Sequence, residues 1–285
     1  MSITRREFLR TGIAAASIGS VSGSLEAAQR GAREGIRLIR NATSIIRFGG
    51  RTLLLDPWLA DAGAMPPVNN SPNPRPNPLV PLPLPAREVI AGVDATLLTH
   101  THFDHWDPAA RELLAKEGLL FVQPADTDRV RQAGFTNVQM IEPSLEWQGI
   151  SLIRTIARHG RGDVGQRMGT VSGYVLKHAG SPTLYIAGDT IWCPEVADAI
   201  AAHAPDIIVV NAGEAQFLEG GPIIMGVDDV VQVCKAAPRA KVVAVHMEAV
   251  NHCVLSREGL RAGLERAGLA GRVAIPKDGE EILFG

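Results

Sequence analysis

Four side chains that can bind a metal ion lie within six residues of one another. Residues 94–107 read DATLLTHTHFDHWD and contain His100, His102, Asp104 and His105. The apolar residues before them predict a buried strand, and alternate residues leaving a strand point to the same side. Two imidazoles can therefore share one ion, while the turn presents the aspartate and the last histidine to a second. The apolar strand makes a solvated surface cluster the weaker interpretation.

Three more candidate ligands follow apolar stretches later in the sequence. His159 follows SLIRTIAR, Asp189 follows TLYIAG, and His246 follows KVVAV. Taken singly, His159 or His246 is more typical of a capped histidine at a strand end than of a ligand. Strands are rigid, however, and metal ligands must be held rigidly, so the recurrence favours one shared centre. With the cluster above, these residues give seven candidate metal ligands.

The elements that must position these residues alternate between strands and helices. Strands are predicted at 36–42, 44–55 with a break at Gly49-Gly50, 95–99, 119–122, 138–141, 150–157, 171–177, 183–187, 207–210, 242–245, and near 273 and 282. Helices are predicted from 107, and at 127–132, 194–202, 228–236 and 256–267. Hairpins mixed with crossovers predict an α/β fold with two mixed sheets flanked by helices, rather than a purely parallel sheet or barrel.

A proline-rich stretch separates the first hairpin from the histidine cluster. Nine of the twenty-one residues from 65 to 85 are proline, which excludes a helix or a central strand there. The stretch is either a flexible linker or a loop that lies on the body of the protein. Its apolar second half, NPLVPLPLP, favours the covering loop.

Composition excludes several classes of protein. The chain has 285 residues, 46% of them hydrophobic and 20% charged, which is typical of a globular protein. The formal net charge is -2, so no nucleic-acid partner is expected. No apolar run reaches about 18 residues, so no membrane span is expected in the mature protein. Three cysteines are too few for a disulfide scaffold, and the oligomeric state stays open.

The N-terminus resembles a twin-arginine export signal. Residues 4–10 read TRREFLR, and the fifteen residues after Arg10 carry no charge. An N-terminal helix with solvated arginines is the alternative. We expect residues 1–28 to be the signal, with the cleavage point open, and residues 36–285 to be the folded domain. The signal implies recognition by the twin-arginine machinery and a periplasmic or exported location.

The motif HTHFDH, a later lone histidine, GDT, and a final histidine after a strand resemble the metallo-β-lactamase superfamily. The resemblance covers residues 36 to 285 and implies a four-layer αβ/βα sandwich with a dinuclear centre at the edge of the sheets. By this resemblance, one metal takes His100, His102 and His159, the second takes Asp104, His105 and His246, and Asp189 bridges both.

Finer features narrow the expected chemistry. The segments NPLVPLP, HWD and GGPIIMG resemble the ascorbate-6-phosphate-lactonase-like branch. Imidazoles and carboxylates without a thiolate suit two Zn ions, although Mn or Fe accept similar ligands. By the resemblance, His102 stands where diiron oxygen-reducing members have glutamate, and Asp189 stands where β-lactam-cleaving members of the first class have cysteine. Both activities are therefore disfavoured.

The resulting expectation is a zinc hydrolase in which a metal-bridging hydroxide, oriented by Asp104, cleaves an ester or lactone bond of a small-molecule substrate. A phosphodiesterase with the same ligands, or a metal-binding protein without turnover, are the alternatives.

Several residues near the motifs are secondary candidates. His252 follows His246 by six residues and could donate a proton or hydrogen bond to the substrate, or cap the next helix. The tryptophans Trp58, Trp106 and Trp192 follow strands and could line the mouth of the site or belong to the core. Arg158, Arg161 and Arg167 could bind an anion or lie in a solvated glycine-rich loop. Cys193 and Cys253 could form a disulfide, whereas Cys234 reads as a buried apolar residue.

Overall fold

The computed structural model describes residues 33–285. The predicted export signal at residues 1–28 lies outside the described residues. Between residues 33 and 285, every helix is too short or too polar to cross a lipid bilayer.

The first sheet is built mostly from the N-terminal half of the described chain. Its seven strands run in the order β14-β1-β2-β3-β4-β5-β6. They are β1 (Gly35–Arg40), β2 (Thr43–Phe48), β3 (Arg51–Leu55), β4 (Ala95–Leu97), β5 (Leu120–Val122), β6 (Val138–Met140) and β14 (Glu281–Leu283). The pairs from β14 to β3 are antiparallel, and those from β3 to β6 are parallel.

The second sheet has seven strands in the order β13-β12-β11-β10-β9-β8-β7. They are β7 (Ser144–Trp147), β8 (Ile150–Ala157), β9 (Val171–Lys177), β10 (Leu184–Ile186), β11 (Ile207–Asn211), β12 (Lys241–Val245) and β13 (Val273–Ala274). Strands β7 to β10 pair antiparallel, and β10 to β13 pair parallel. Both sheets are therefore mixed, as the sequence predicts.

Seven α-helices occur in the described chain. They are α1 (Ala86–Val89), α2 (Pro108–Leu113), α3 (Thr127–Gln132), α4 (Gly162–Met168), α5 (Pro194–His203), α6 (Val227–Ala236) and α7 (Arg257–Arg266), with short 3₁₀ turns at Pro124–Asp126 and Ala270–Arg272. The predicted start of α2 is confirmed, because the Asp107 carboxylate accepts a hydrogen bond from the backbone N–H of Ala110 and Pro108 occupies the first turn.

Three apolar layers hold the elements together. The inner faces of the two sheets share one core, which includes Phe48 and Leu97 from the first sheet and Tyr174 and Val243 from the second. A second core packs α1 to α3 on the outer face of the first sheet, and a third packs α5 to α7 on the outer face of the second. This arrangement is the predicted four-layer sandwich, because each sheet buries one face on the other and one face under helices.

The proline-rich stretch is a loop that lies on the body, as its apolar composition predicts. Leu82 and Leu84 pack against the core beside α1 to α3, and Asn77 is fully buried. The Asn77 Nδ2 donates to Asn251 Oδ1 at 2.8 Å, while the backbone N–H of Asn251 donates to Asn77 Oδ1 at 2.9 Å. These paired amides attach the loop to the segment that follows β12.

Three elements differ from the sequence-based prediction, and the first is helix α1 (Ala86–Val89), for which the sequence predicts no helix. Strand β7 was not predicted, because its alternation SLEW is short and half exposed. The glycine-rich segment after His159 forms helix α4 rather than a loop, and its Val164 is buried against Ile223 and Ile224. Tertiary contact at one side chain thus overrides the low helix propensity of its glycines.

Candidate metal centre

The seven predicted ligands lie in one cluster at the carboxyl ends of four strands. β4 leads to His100, His102, Asp104 and His105, and β8, β10 and β12 lead to His159, Asp189 and His246. All but His102 are buried. Ligand atoms lie within 4.8 Å of one another in three groups, which are His100–His102–His159, His100–His105–Asp189 and Asp104–His105–His246.

Asp189 lies at the centre of the cluster. Its Oδ2 is 3.3 Å from His105 Nε2 and 3.4 Å from His159 Nε2. The same oxygen is 3.9 Å from His100 Nε2, and Oδ1 is 3.6 Å from His246 Nε2. One carboxylate therefore faces histidines of all three groups, which is the placement required of a bridging ligand.

The tight turn before Asp189 requires glycine. Gly188 has φ +70°, and a Cβ at this position would lie 2.6 Å from the backbone oxygen of Ser172. A side chain is excluded by both the conformation and the space. This turn directs the aspartate from the end of β10 into the cluster.

The remaining carboxylate, Asp104, faces the last histidine. Its Oδ2 is 3.2 Å from His246 Nε2 and 3.9 Å from His105 Nε2, and these two ring nitrogens are 3.2 Å apart. On the other side of the cluster, His100 Nε2 lies 2.9 Å from His102 Nδ1. The donor atoms thus separate into two neighbouring sets, with the Asp189 carboxylate between them.

Hydrogen bonds to the outer ring nitrogens orient the histidines. His105 Nδ1 donates to Asp56 Oδ2 at 2.8 Å, and His159 Nδ1 donates to the backbone oxygen of Ile223 at 2.8 Å. His100 Nδ1 lies 3.1 Å from Thr99 Oγ1. Because a proton held on Nδ1 leaves the lone pair on Nε2, these contacts point the metal-binding nitrogen inward.

Other buried groups fix the carboxylates and the histidine loop. Asn211 Nδ2 donates to Asp189 Oδ1 at 2.6 Å. Asp56 accepts hydrogen bonds from the backbone N–H of Thr99 at 2.7 Å and from its hydroxyl at 2.6 Å. Thr101, between two of the candidate ligands, donates to Asp126 Oδ1 at 2.6 Å. Each of these contacts restricts a side chain that the centre needs in one orientation.

Burial keeps three of the histidines neutral. It lowers the pKa of His102, lowers that of His100 well below its usual value, and lowers that of His159 to about 4. A neutral imidazole keeps a free lone pair. These three rings are therefore ready to bind a cation near neutral pH without first losing a proton.

The other two histidines carry the opposite shift. Burial opposes charge on His105, but the carboxylates of Asp189, Asp56 and Asp104 outweigh it and raise its pKa to about 10. Asp189 likewise raises the pKa of His246 well above its usual value despite burial. Burial also opposes ionisation of Asp104 and Asp189, yet the neighbouring histidines hold the pKa of both carboxyls below the usual range.

The donor set therefore fits divalent cations. Two buried carboxylates stay ionised, and without a cation the positive charge beside them is carried by ring protons on His105 and His246. A bound cation would replace those protons, which is the coupling expected of a metal site. Imidazole nitrogens and carboxylate oxygens are ligands for zinc and related metals.

The secondary candidates divide into groups with different placements. Trp58 and Trp106 are buried in apolar clusters, so neither lines an opening, and Trp192 packs on the core under α5 to α7. The three cysteines are free, and Cys253 Sγ lies 3.5 Å from His246 Nδ1 rather than against Cys193. Cys234 is buried, as predicted.

Sequence reasoning missed three polar residues of the centre, Asp56, Asn41 and Asn211. Asp56 directly follows the apolar strand β3, as the candidate ligands follow other strands, and this position is the only sequence feature that could have marked it as part of the centre. Asn41 contacts Asp104 and His246 from a turn, and Asn211 ends β11. Each acts on a ligand far away in the sequence, so no local pattern marks it.

The family follows from comparison with known sequences. Residues 51–247 match the family described as "Beta-lactamase superfamily domain". That match includes all seven candidate ligands. The chain belongs to the beta-lactamase superfamily. It is a metal-dependent hydrolase.

Relatives agree with this family over nearly their whole length. The hydrolase is 42% identical to the UPF0173 protein YddR of Bacillus subtilis, over 87% of this chain and 99% of that protein. It is 36% identical to a solved isothiocyanate hydrolase from Delia radicum gut bacteria, covering 87% of this chain and 98% of that one, with a TM-score of 0.83. A possible metal-dependent hydrolase from Veillonella parvula is also 36% identical, covering 88% and 100%, with a TM-score of 0.86.

Proposed function

We propose that this hydrolase is an exported enzyme that uses two zinc ions to cleave an ester or lactone bond of a small substrate. The observation that supports it best is the convergence of five imidazoles and two carboxylates in three overlapping groups, with no thiolate in any group formed by the described residues. That donor set suits zinc. In this proposal His100, His102 and His159 hold one ion, Asp104, His105 and His246 hold the other, and Asp189 contacts both.

The protein groups have separate tasks in this reaction. Bound zinc would supply Lewis-acid polarisation of the scissile carbonyl and a water of lowered pKa. Asp104 is held ionised by the histidines around it, with Oδ2 facing His246. Its carboxylate would ligate through that oxygen and accept a hydrogen bond from the attacking water at Oδ1.

In this proposal His252 acts on the leaving group. It is 6% exposed, and its ring stacks on Phe217 with centroids 6.1 Å apart and planes 15° apart. Its Nδ1 is buried and has no partner within residues 33–285. Burial lowers the pKa of His252, although the carboxylates of Asp104 and Asp189 oppose this. The neutral ring would donate a hydrogen bond to the leaving oxygen.

A variant tests this role. We expect His252→Ala to lower kcat by about 10²–10³-fold while KM changes little, because removing a hydrogen-bond donor to developing negative charge costs about that much in kcat. Zinc content should stay at the wild-type level. A variant with wild-type kcat on every active substrate would assign His252 a structural role only.

The surroundings favour an uncharged carbon centre over a phosphodiester. Of the three arginines on the segment after β8, Arg158 pairs with Glu195 at the start of α5, and all three are exposed. An arginine that is already paired with a carboxylate is less available to clamp a phosphate. The resemblance to lactonase-like proteins points to the same class of carbonyl substrate.

Isothiocyanate hydrolysis is the second candidate. It is favoured by one observation, the 36% identity to a solved isothiocyanate hydrolase that the chain covers over 98% of its length. An isothiocyanate also presents an uncharged electrophilic carbon to attacking water, so the same cluster of ligands suits both reactions.

The test combines metal analysis with a substrate panel. The purified full-length protein, reconstituted with zinc, is assayed on lactones, p-nitrophenyl esters, an aryl isothiocyanate and bis-p-nitrophenyl phosphate. We expect about two equivalents of zinc and turnover of a carbon substrate. Less than one equivalent of zinc, manganese or iron would overturn the dinuclear proposal, and turnover of the phosphodiester alone would overturn the substrate class.

Export is tested separately from catalysis. We expect the protein to be found in the periplasm of a host with a twin-arginine pathway, and the double variant Arg5→Lys, Arg6→Lys to remain in the cytoplasm. Cell fractionation followed by immunoblotting measures both. Periplasmic recovery of the double variant at the wild-type level would contradict the twin-arginine interpretation.

A further inference from the structure

Asn41 joins the first hairpin to the metal centre. It lies in the turn between β1 and β2, is fully buried, and has φ 59°. Its backbone oxygen accepts a hydrogen bond of 2.9 Å from the backbone N–H of His246. The turn is therefore attached directly to the residue that ends β12 and enters the centre.

The side chain of Asn41 also faces the centre. Its Nδ2 is 3.1 Å from the backbone oxygen of Asp104, 3.3 Å from Asp104 Oδ2, and 3.1 Å from His246 Nε2. The backbone oxygen and Oδ2 of Asp104 are both hydrogen-bond acceptors, so the amide nitrogen of Asn41 must face them. The reverse orientation would place Asn41 Oδ1 against these two oxygens. The carboxamide of Asn41 thus donates hydrogen bonds to both the backbone oxygen and the carboxylate of Asp104.

The other end of the carboxamide has no such contacts. Asn41 Oδ1 is buried without a hydrogen-bond partner within the described part of the chain. A buried acceptor without a partner is unfavourable. The orientation is therefore maintained by the contacts of Nδ2, and the requirements of the turn do not explain it.

We propose that Asn41 is a positioning residue of the metal centre, which holds the Asp104 carboxylate in the orientation needed by the site formed with His105 and His246. The inference rests on the proposed function, since it assumes that these three side chains bind a metal. Asn41 acts through Asp104 and is not itself assigned a contact with substrate. Its removal should weaken one metal site and leave the His100–His102–His159 site intact.

The competing explanation is that asparagine is present only because the turn needs a positive φ. Asparagine adopts this conformation more readily than other side chains, and glycine adopts it more readily still. Asn41→Gly therefore keeps the turn and removes the carboxamide. Asn70→Gly is the matched control, because Asn70 also has a positive φ, of 56°, but is exposed.

The experiment measures zinc affinity of the full chain by competition with a chelator of known affinity. We expect one of the two equivalents to bind Asn41→Gly about 10–100-fold more weakly, which is the usual effect of removing an outer hydrogen bond from a metal ligand. The other equivalent, and both equivalents of Asn70→Gly, should keep wild-type affinity. Cobalt substitution should show an altered visible spectrum for one site of Asn41→Gly only.

A measurement on the wild-type chain covers the case in which Asn41→Gly does not fold. In NMR spectra of protein with selectively ¹⁵N-labelled asparagine, the side-chain amide resonance of Asn41 should shift when one equivalent of zinc binds. Its chemical shift should not change when the other equivalent binds. Two results would overturn the inference: wild-type zinc affinity in a folded Asn41→Gly variant, or an Asn41 amide resonance that does not shift when either equivalent of zinc binds. Wild-type protein that binds less than one equivalent would instead overturn the proposed function.

Discussion

The replacement Asp56→Asn isolates the role of a buried carboxylate that the metals would not touch. Asp56 Oδ2 accepts the proton of His105 Nδ1 at 2.8 Å and that of the Thr99 hydroxyl at 2.6 Å, while Oδ1 accepts the Thr99 backbone N–H at 2.7 Å. Asparagine keeps the shape and the contact at Oδ1. It places an NH₂ group where the histidine needs an acceptor.

The change should act through the tautomer of His105. An NH₂ facing Nδ1 favours the ring with its proton on Nε2, which removes the lone pair that points at Asp189 and Asp104. Loss of such an outer carboxylate lowers metal affinity by about 10–100-fold. Since each factor of ten is about 1.4 kcal/mol, the expected loss of binding free energy is about 1.4–2.8 kcal/mol. Turnover should fall at least as much, because the wrong tautomer also misplaces the ligand.

Asp107→Asn is the matched control. Asp107 is equally buried and accepts backbone hydrogen bonds from Leu59, Ala60 and Ala110, but belongs to none of the three ligand groups. In the metal-free form, both variants should lose about 2 kcal/mol of unfolding free energy, or about 4–8 °C in Tm for a domain of this size. Only Asp56→Asn should lose zinc affinity, measured by chelator competition alongside calorimetry.

Two results would refute this reasoning. The first is wild-type affinity of Asp56→Asn for both zinc equivalents. The second is an equal loss of zinc affinity in Asp107→Asn, because the effect would then report general loosening of a buried carboxylate site. The expected pattern is an equal loss of Tm in the two metal-free variants, with a loss of zinc affinity in Asp56→Asn only.

Three further predictions test the centre and its support. His102→Ala should lose one of two zinc equivalents and lower kcat by about 10²-fold, as misplacing a catalytic group does. His178→Ala is the control and should keep both equivalents, because His178 belongs to none of the three ligand groups. Metal analysis and kinetics measure both variants, and two retained equivalents in His102→Ala would contradict the assignment. Chelator treatment should abolish activity and lower Tm by about 8–16 °C, since metal at 1,000 times its Kd adds about 4.1 kcal/mol to the unfolding free energy. Restoration of activity and Tm by added zinc is the control. An unchanged Tm after chelation would argue against a bound metal. Gly213→Ala should lower the unfolding free energy by about 1–3 kcal/mol in a urea titration, because its Cβ would overlap the backbone oxygen of His246. Gly271→Ala is the control and should leave the unfolding free energy unchanged, because the space around its Cβ is open. Equal stability of the two variants would show that the backbone relaxes around the added methyl group.

Much of the fold could be predicted from local pattern. Strand β8 and helix α3 have the predicted bounds, and both predicted hairpins, β1–β2 and β9–β10, are present. These elements carry strong periodicity, apolar runs or turn glycines. Strand β7 and helix α4 were missed because half-exposed alternation and a glycine-rich sequence give weak local signals, and packing against the rest of the molecule determines both.

The ligand candidates could be predicted because their chemistry is concentrated and their positions recur. Histidines and aspartates directly after apolar strands mark the carboxyl ends of strands, and the structure brings those ends together. The residues that orient them could not be predicted in the same way. Asp56 reaches His105 across 49 residues and Asn41 reaches His246 across 205, so neither contact leaves a local trace.

The sequence by itself determined the types of donor atom, the alternation of strands and helices, and the family to which the hydrolase belongs. Only the tertiary structure decided which nitrogen of each histidine faces the centre and that Asp189 lies between the two sets of donors. It also decided that Asn41 hydrogen-bonds to Asp104 and Asp56 to His105. The physical reason is that donor identity is a property of single residues. Orientation is a property of hydrogen bonds that form only after distant strands have packed together.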